Sequence, residues 1–148
     1  MSPLARRLSG SRAALRAISA THVAVYRLSG GRLGASFNGM TFLLLRTTGA
    51  RSGRLRTTPL LYIADGDALV LVASNGGQAR HPDWLFNLRQ TPEVELVVGT
   101  DAWRARARIA GPTERARLWL RVNEVYPYQA YQDAATSREI AVVVLDRL

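Results

Sequence analysis

Three arginines with no acidic residue among them stand in the stretch Thr47–Leu60, and this group could bind an anion. Arg51, Arg54 and Arg56 fall on or beside a connection that two glycines four residues apart allow to turn tightly. Each guanidinium offers a planar fork of donors, so three on one hairpin predict a clamp for phosphate or carboxylate. The alternative is a solvated surface hairpin whose charges only face water. We refer to residues 49–56 as the arginine turn.

A second group is the run Ser74-Asn75-Gly76-Gly77, which follows an apolar stretch. Paired glycines leave backbone N–H groups bare and let a ligand approach them closely. The alternative is an ordinary turn that uses two glycines for its geometry. Neither the dinucleotide fingerprint nor the phosphate-loop pattern is present, so this run by itself does not define a ligand.

A third group is aromatic and consists of Tyr126, Tyr128 and Tyr131. Clustered tyrosines can bind a planar ring and donate a proton, and Tyr126 is the candidate for that donor. The alternative is that these rings are core or amphipathic surface. His81, directly before Pro82, could cap a helix or contact solvent, and nothing in its surroundings marks it as catalytic.

The chain is poor in other catalytic side chains. It has no cysteine, which excludes disulfides, thiolate metal sites and cysteine nucleophiles, and its two histidines argue against a histidine-rich metal site. No Ser-His-Asp set and no carboxylate pair stand out. Anion binding and aromatic surface without catalytic side chains are typical of an enzyme whose cofactor carries the reaction.

Hydrophobic periodicity and turn residues predict the elements that would position these groups. The expected strands come as hairpins and not as strand–helix–strand units, which predicts an α+β fold, an antiparallel sheet or small barrel with peripheral helices. On the strand that begins at residue 102, small and aromatic residues alternate with arginines, so one face is apolar and the other basic. The expected helices are 11–29, 82–90, 112–125 and 129–134, and the expected strands are 41–46, 57–64, 68–74, 94–98, 102–109 and 140–145.

The basic charge is concentrated in the first half of the chain. Ten arginines precede Asp65, which is the first acidic residue. We expect one domain over residues 1–148, with 1–19 as a basic extension that leads into the first helix. A basic amphipathic N-terminus could lie on an anionic membrane surface, although a packed helix with a solvated face explains it as well. No apolar run is long enough to cross a bilayer and no secretory signal is evident, so the expected compartment is the cytoplasm, with peripheral contact to the inner face of the cell membrane as an open alternative.

Several blocks, in order, carry a resemblance to the deazaflavin-dependent nitroreductase family, which uses coenzyme F420 on a split β-barrel. Each block is modest alone, but the ordered set is specific and spans roughly residues 20–146. The blocks are Tyr26-Arg27-Leu28-Ser29-Gly30-Gly31-Arg32-Leu33-Gly34, Thr47-Thr48-Gly49, Ser52-Gly53, Arg56, Pro59-Leu60, Ala73-Ser74-Asn75-Gly76-Gly77, His81-Pro82-Asp83-Trp84, Asn87-Leu88, Pro92, Tyr126-Pro127 and Arg138-Glu139-Ile140.

The resemblance implies a split β-barrel of the FMN-binding type and an F420-dependent oxidoreductase. Its reduced deazaflavin would pass a hydride from C5 to an electron-poor acceptor such as a quinone or a nitroaromatic. The arginine turn would hold the coenzyme's phosphate and glutamyl tail, and Tyr126 would position the acceptor or supply a proton, with water as the alternative donor. Residues that would bind the coenzyme are Arg51, Ser52, Arg54, Arg56, Pro59, Leu60, Ser74, Asn75, Gly76, Gly77, His81, Pro82, Trp84 and Asn87; those that would meet the acceptor are Tyr126, Tyr128 and Tyr131.

Two other classes of function remain open from the sequence. A split-barrel protein could bind FMN or haem in place of the deazaflavin. A non-enzymatic binder could use its basic N-terminal region on nucleic acid or a membrane surface. The chain lacks the aromatic interleaving of single-strand binders and any recognised nucleic-acid motif, so we expect a small-molecule acceptor and no nucleic acid as partner. The oligomeric state is not indicated.

Overall fold

The computed structural model describes residues 20–26, 36–37 and 40–148. Helical residues 20–26 are the described part of helix α1. Within the described residues the remaining helices are α2 (Asp83–Gln90), α3 (Pro112–Val125) and α4 (Tyr128–Ala134). The strands there are β1 (Ser36–Phe37), β2 (Met40–Thr48), β3 (Leu55–Leu61), β4 (Ile63–Asp65), β5 (Ala68–Val72), β6 (Glu93–Val98), β7 (Asp101–Ile109) and β8 (Val142–Arg147).

The strands form one curled antiparallel sheet. Its order is β1-β2-β6-β7-β8-β5-β4, and β3 pairs with β2 away from this path. Every pair is antiparallel, which matches the hairpins expected from the turn residues. The prediction of an α+β fold with an antiparallel split barrel and peripheral helices is therefore confirmed.

Both faces of β5 and β8 are buried, and this divides the core in two. Alternate residues of the two strands, such as Leu71 and Val143, join α2 in a cluster on one face of the sheet. Their neighbours, such as Val72 and Val142, face α3 and α4 on the other side. The unbroken apolar run at the end of the chain follows from this, because a strand covered on both faces has no polar side.

Salt bridges join helix α3 to the β4–β5 hairpin. The Asp65 carboxylate accepts hydrogen bonds from Arg117 at 2.9 Å and from Arg121 at 2.6 Å. Gly66 follows Asp65 with a φ of 59°, which is the positive value that this hairpin turn requires. These contacts hold α3 against the β4–β5 hairpin.

The boundaries differ from the sequence expectation in a few places. The expected strand 57–64 is two strands, because the chain leaves the ladder at Tyr62 before β4 begins at Ile63. Strand β1 has only two residues and lacks a periodicity signal. The apolar and basic alternation of β7 is confirmed, since Ala105 and Ala107 are buried and Arg104 is exposed. The expected extension 1–19 and the ends of the expected helix 11–29 lie outside the described residues.

Candidate active site

A pocket of about 280 Å³ opens between β3 and the loop that follows β5. Strand β3 gives it one wall, and α4 together with Tyr126, two residues before that helix, gives another. The rest of its lining comes from the loop after β5 and from apolar side chains of β2 and β5. The lining residues are Met40, Phe42, Pro59, Leu60, Leu61, Val72, Ser74, Gly76, Tyr126, Tyr128 and Tyr131.

The tyrosine wall consists of Tyr126, Tyr128 and Tyr131. The hydroxyls of Tyr126 and Tyr131 share a hydrogen bond of 2.7 Å, and their rings stack with centroids 5.8 Å apart. Burial, followed by the bond to Tyr126, raises the pKa of Tyr131 to about 12. Burial also raises the pKa of Tyr128, which is only 7% exposed. Tyr131 and Tyr128 are therefore neutral hydroxyl groups at physiological pH.

Residues 73–78 form the Ser74 loop, which faces the tyrosine wall. Its centre, Asn75–Gly77, is a single 3₁₀ turn in which Asn75, Gly76 and Gly77 all have positive φ, of 47°, 63° and 79°. A Cβ at Gly76 would meet no atom within 4 Å, so open space lies beside its backbone. A Cβ at Gly77 would lie 3.2 Å from the ring of Tyr131, because the loop packs closely on α4. The two glycines thus have different roles, access at Gly76 and packing at Gly77.

The arginine turn is the tip of the β2–β3 hairpin. Backbone bonds from Gly49 to Arg54 and from Gly53 to Gly49, at 2.8 and 2.9 Å, close it. The Ser52 hydroxyl accepts the Arg54 N–H at 3.1 Å, so this serine shapes the turn. Among the residues that the structure describes, no carboxylate pairs with Arg51, Arg54 or Arg56, and all three are exposed.

The arginines of β7 contrast with those of the turn. Arg104 and Arg106 both pair with Glu93 on β6, and Arg108 bonds Asp146 at 2.8 Å. The basic face that the sequence predicts on β7 is therefore neutralised by its neighbours. The arginine turn has no such partners in the described part of the chain, so its positive charge is not neutralised there.

Helix α2 supports the arginine turn through the side chain of Asn87. The Asn87 side chain is 7% exposed, accepts the Ala50 N–H at 2.8 Å and donates to Thr47 Oγ1 at 3.1 Å. Trp84 is 6% exposed and packs in the core cluster of α2. Pro82 is buried at the start of the helix. None of these three lines this pocket, although the resemblance implies that they bind the coenzyme together with the Ser74 loop.

Arg138 holds the Ser74 loop, and it has no place among the site residues that the sequence predicts. Its guanidinium donates to the carbonyls of Ser74 at 2.8 Å, Gln78 at 3.0 Å and Ala73 at 3.1 Å. Nη1 also lies 3.3 Å from His81 Nδ1. Burial, then Arg138 and Arg89, lower the pKa of His81, so its ring is neutral and Nδ1 can accept from Arg138.

The structure brings only part of the predicted site together in one pocket. Seven predicted residues line it, and the remaining ones lie at the arginine turn, on α2, at the two positions directly before α2, or in the Ser74 loop outside the lining. Sequence reasoning missed Met40, Phe42, Leu61 and Val72, whose apolar side chains look like ordinary strand core in a sequence. The seven are Pro59, Leu60, Ser74, Gly76, Tyr126, Tyr128 and Tyr131.

The amino-acid sequence of this chain is similar to those of known enzymes. The model of the F420H(2)-dependent quinone reductase family matches residues 18–147. The F420H(2)-dependent quinone reductase Rv1261c of Mycobacterium tuberculosis H37Rv is 46% identical over 131 residues, which cover 85% of this chain and 87% of that protein.

The chain belongs to the F420H(2)-dependent quinone reductase family. Among solved structures, an F420-H2 dependent reductase, FDR-A, superposes with a TM-score of 0.65 at 36% identity, covering 71% of this chain and 93% of that one. The haem storage protein HutZ of Vibrio cholerae has a TM-score of 0.53 at 15% identity over 72% of this chain and 81% of that one, a likeness of fold alone. The resemblance read from the sequence is therefore confirmed, with quinone reductases as the matching branch.

The described residues fit the coenzyme of this family. An apolar pocket with three tyrosine rings suits a flat ring system, and the open space at Gly76 lets a ring edge approach backbone. The arginine turn, three residues before Pro59 along β3, offers unpaired positive charge for anionic groups. No cluster of metal-ligating side chains occurs in the ranges that the structure describes, and in those ranges no helix is long and apolar enough to cross a membrane.

Proposed function

We propose that this F420-dependent oxidoreductase binds the deazaflavin ring in the pocket between β3 and the Ser74 loop, and reduces a quinone or similar electron-poor acceptor against the tyrosine wall. Family membership supplies the class of enzyme and the coenzyme. The observation that carries the assignment of residues is the pocket itself, which joins Pro59 and Leu60 to Ser74, Gly76 and the three tyrosines.

The arginine turn binds the anionic part of the coenzyme in this proposal. Strand β3 runs directly from Arg56 to Pro59, a distance of about 10 Å along an extended strand. A ring held at Pro59 therefore has its charged substituents within reach of Arg51, Arg54 and Arg56. Asn87 contributes indirectly, since its side chain fixes Ala50 and Thr47 at the base of the turn.

The chemistry of the reaction belongs to the bound coenzyme, which supplies a hydride from its reduced ring. The protein orients the acceptor and stabilises the negative charge that develops on its oxygen. Tyr126 is the candidate for that hydrogen bond, because it lines the pocket and its hydroxyl is already joined to Tyr131 at 2.7 Å. Tyr131 can hold the Tyr126 hydroxyl in one orientation or replace a proton that it gives up.

A fluorescence titration tests the binding half of the proposal. Purified protein is titrated with oxidised F420 and, separately, with FMN. We expect saturable binding of F420 and weaker or no binding of FMN, and preferential binding of FMN would overturn the coenzyme assignment. Stopped-flow oxidation of reduced F420 by a short-chain quinone then tests turnover.

The N-terminal region adds a proposal that rests on sequence charge alone. Residues 1–19 contain arginines and no acidic residue. This charge would favour a peripheral contact with the anionic inner face of the cell membrane. A quinone acceptor in a bilayer would make such a contact useful. Sedimentation with anionic and neutral vesicles at two salt concentrations tests it, and equal binding to both kinds of vesicle would argue against it.

A further inference from the structure

We propose that Arg138 is a positioning residue that sets the distance between the Ser74 loop and the tyrosine wall, and thereby the width of the pocket. The inference rests on the proposed function, because it concerns the same pocket. It assigns a role to a side chain that does not line the pocket.

The guanidinium of Arg138 donates mainly to backbone acceptors of the Ser74 loop. Three of them are main-chain carbonyls at the two ends of the loop, those of Ala73, Ser74 and Gln78, at 2.8–3.1 Å. The described residues offer Arg138 no carboxylate within ion-pair distance. The planar fork of arginine can serve several acceptors at once, so one side chain ties both ends of the loop.

The segment around Arg138 is connected to α4 by hydrogen bonds of Gln132. Gln132 on α4 donates to the carbonyl of Arg138 at 2.8 Å and accepts the Ile140 N–H at 2.8 Å. The segment that carries Arg138 is thus fixed to the helix that carries Tyr131. The guanidinium then reaches from this segment to the Ser74 loop.

The Ser74 loop also packs directly on α4. The backbone at Gly77 lies so near Tyr131 that a Cβ there would approach its ring to 3.2 Å. Ser74 and Gly76, which line the pocket, belong to the same short loop. If the tie from Arg138 is lost, the three carbonyls lose a charged donor, and the loop is free to move relative to Tyr131.

The test compares Arg138→Gln with Arg115→Gln. Arg115 is a stringent control, because its guanidinium donates to the Ile140 carbonyl at 2.8 Å and to Gln132 Oε1 at 3.4 Å. It therefore contacts the same segment and helix as Arg138, but none of its described hydrogen bonds goes to the Ser74 loop. We expect Arg138→Gln to raise the Kd for oxidised F420 about tenfold or more, since hydrogen bonds from a charged donor are lost. Arg115→Gln should lower thermal stability and leave that Kd unchanged.

A second measurement needs no coenzyme. Hydrogen exchange of the unliganded protein reports the Gly77 and Gln78 amides, which bond Ser74 and Asn75 within the loop. We expect faster exchange there in Arg138→Gln and unchanged exchange in Arg115→Gln, with partial recovery in Arg138→Lys, which serves as the milder variant if the glutamine variant does not fold.

The outcomes separate the two proposals. Wild-type protein that does not bind F420 would overturn the proposed function, while the exchange result would still decide whether Arg138 holds the loop. Unchanged exchange in Arg138→Gln, or an equal rise in Kd in both glutamine variants, would overturn the positioning role. Recovery of F420 affinity in Arg138→Ala by added guanidinium, with no gain of affinity in the wild-type protein, would support it.

Discussion

The side-chain amide of Asn87 donates to Thr47 Oγ1 at 3.1 Å, and both side chains are buried. The Asn87 carbonyl oxygen accepts the Ala50 N–H at 2.8 Å. One residue of α2 therefore holds both Thr47, near the end of β2, and Ala50, the second residue of the arginine turn. This joins the core of the sheet to the surface that is proposed to bind the coenzyme's anionic groups.

Asn87→Leu should lower the free energy of unfolding by about 1–3 kcal/mol, because it leaves buried polar groups at Thr47 and Ala50 without partners. It should also weaken F420 binding, since the arginine turn loses its support. Chemical denaturation and fluorescence titration measure the two effects. Thr47→Ser keeps the hydroxyl and is the matched control, so a similar loss in that variant would contradict the role given to the hydrogen bond.

Arg56→Ala should raise the Kd for F420 about tenfold or more, the loss expected when a charged donor to an anion is removed. The effect should shrink at high salt, because exposed charges are screened. Arg104→Ala is the control, since Arg104 is exposed on β7 but pairs with Glu93. If Arg51, Arg54 and Arg56 can all be replaced by alanine without changing the Kd, the anion clamp is wrong.

Gly76→Val should abolish F420 binding, because a branched side chain would fill the open space beside the loop backbone. Gly66 in the β4–β5 turn is a matched position, because its φ of 59° is close to the 63° of Gly76. A Cβ at either glycine would meet no atom within 4 Å. Gly66→Val therefore imposes a similar backbone strain far along the sheet and should leave binding intact. Wild-type affinity in a folded Gly76→Val protein would move the ring site elsewhere.

Tyr126→Phe should keep F420 affinity and slow quinone reduction, because the acceptor loses a hydrogen bond to its developing charge. Removal of one such donor typically lowers the rate by about 10²-fold. Stopped-flow oxidation of reduced F420 at saturating protein isolates this step. Tyr131→Phe is the comparison, and it should have a smaller effect if it acts only by orienting Tyr126. An unchanged rate in Tyr126→Phe would exclude Tyr126 as a catalytic residue.

Alkaline pH should destabilise the protein through Tyr131. Its pKa is raised to about 12 from an ordinary value of 10.0, chiefly by burial, so the unfolded chain loses this proton first as pH rises. The stabilisation is complete below about pH 10 and is lost between about pH 10 and 12. Thermal denaturation across this range should show a smaller decline in Tyr131→Phe. A decline parallel to wild type would contradict the buried, neutral state of Tyr131.

The sequence by itself determined the local structure and the family. The Asp65-Gly66 turn predicts the β4–β5 hairpin because only a few residues suit positive φ there, and the alternation from Trp103 to Arg108 predicts the two faces of β7. The ordered blocks indicated the coenzyme through resemblance. That three arginines and three tyrosines, far apart in the chain, serve one site was implied by the same resemblance.

Only the tertiary structure decided which of these residues meet. The resemblance implies that Trp84 and Asn87 bind the coenzyme with the Ser74 loop, but α2 places Trp84 in the core and Asn87 against the arginine turn. Met40 and Phe42 line the pocket although their side chains look like ordinary strand residues. Arg138 is separated by about sixty residues from the loop it holds, because main-chain carbonyls accept hydrogen bonds whatever their side chains are. A sequence records side-chain types, whereas contacts to backbone depend on how the chain is folded in space.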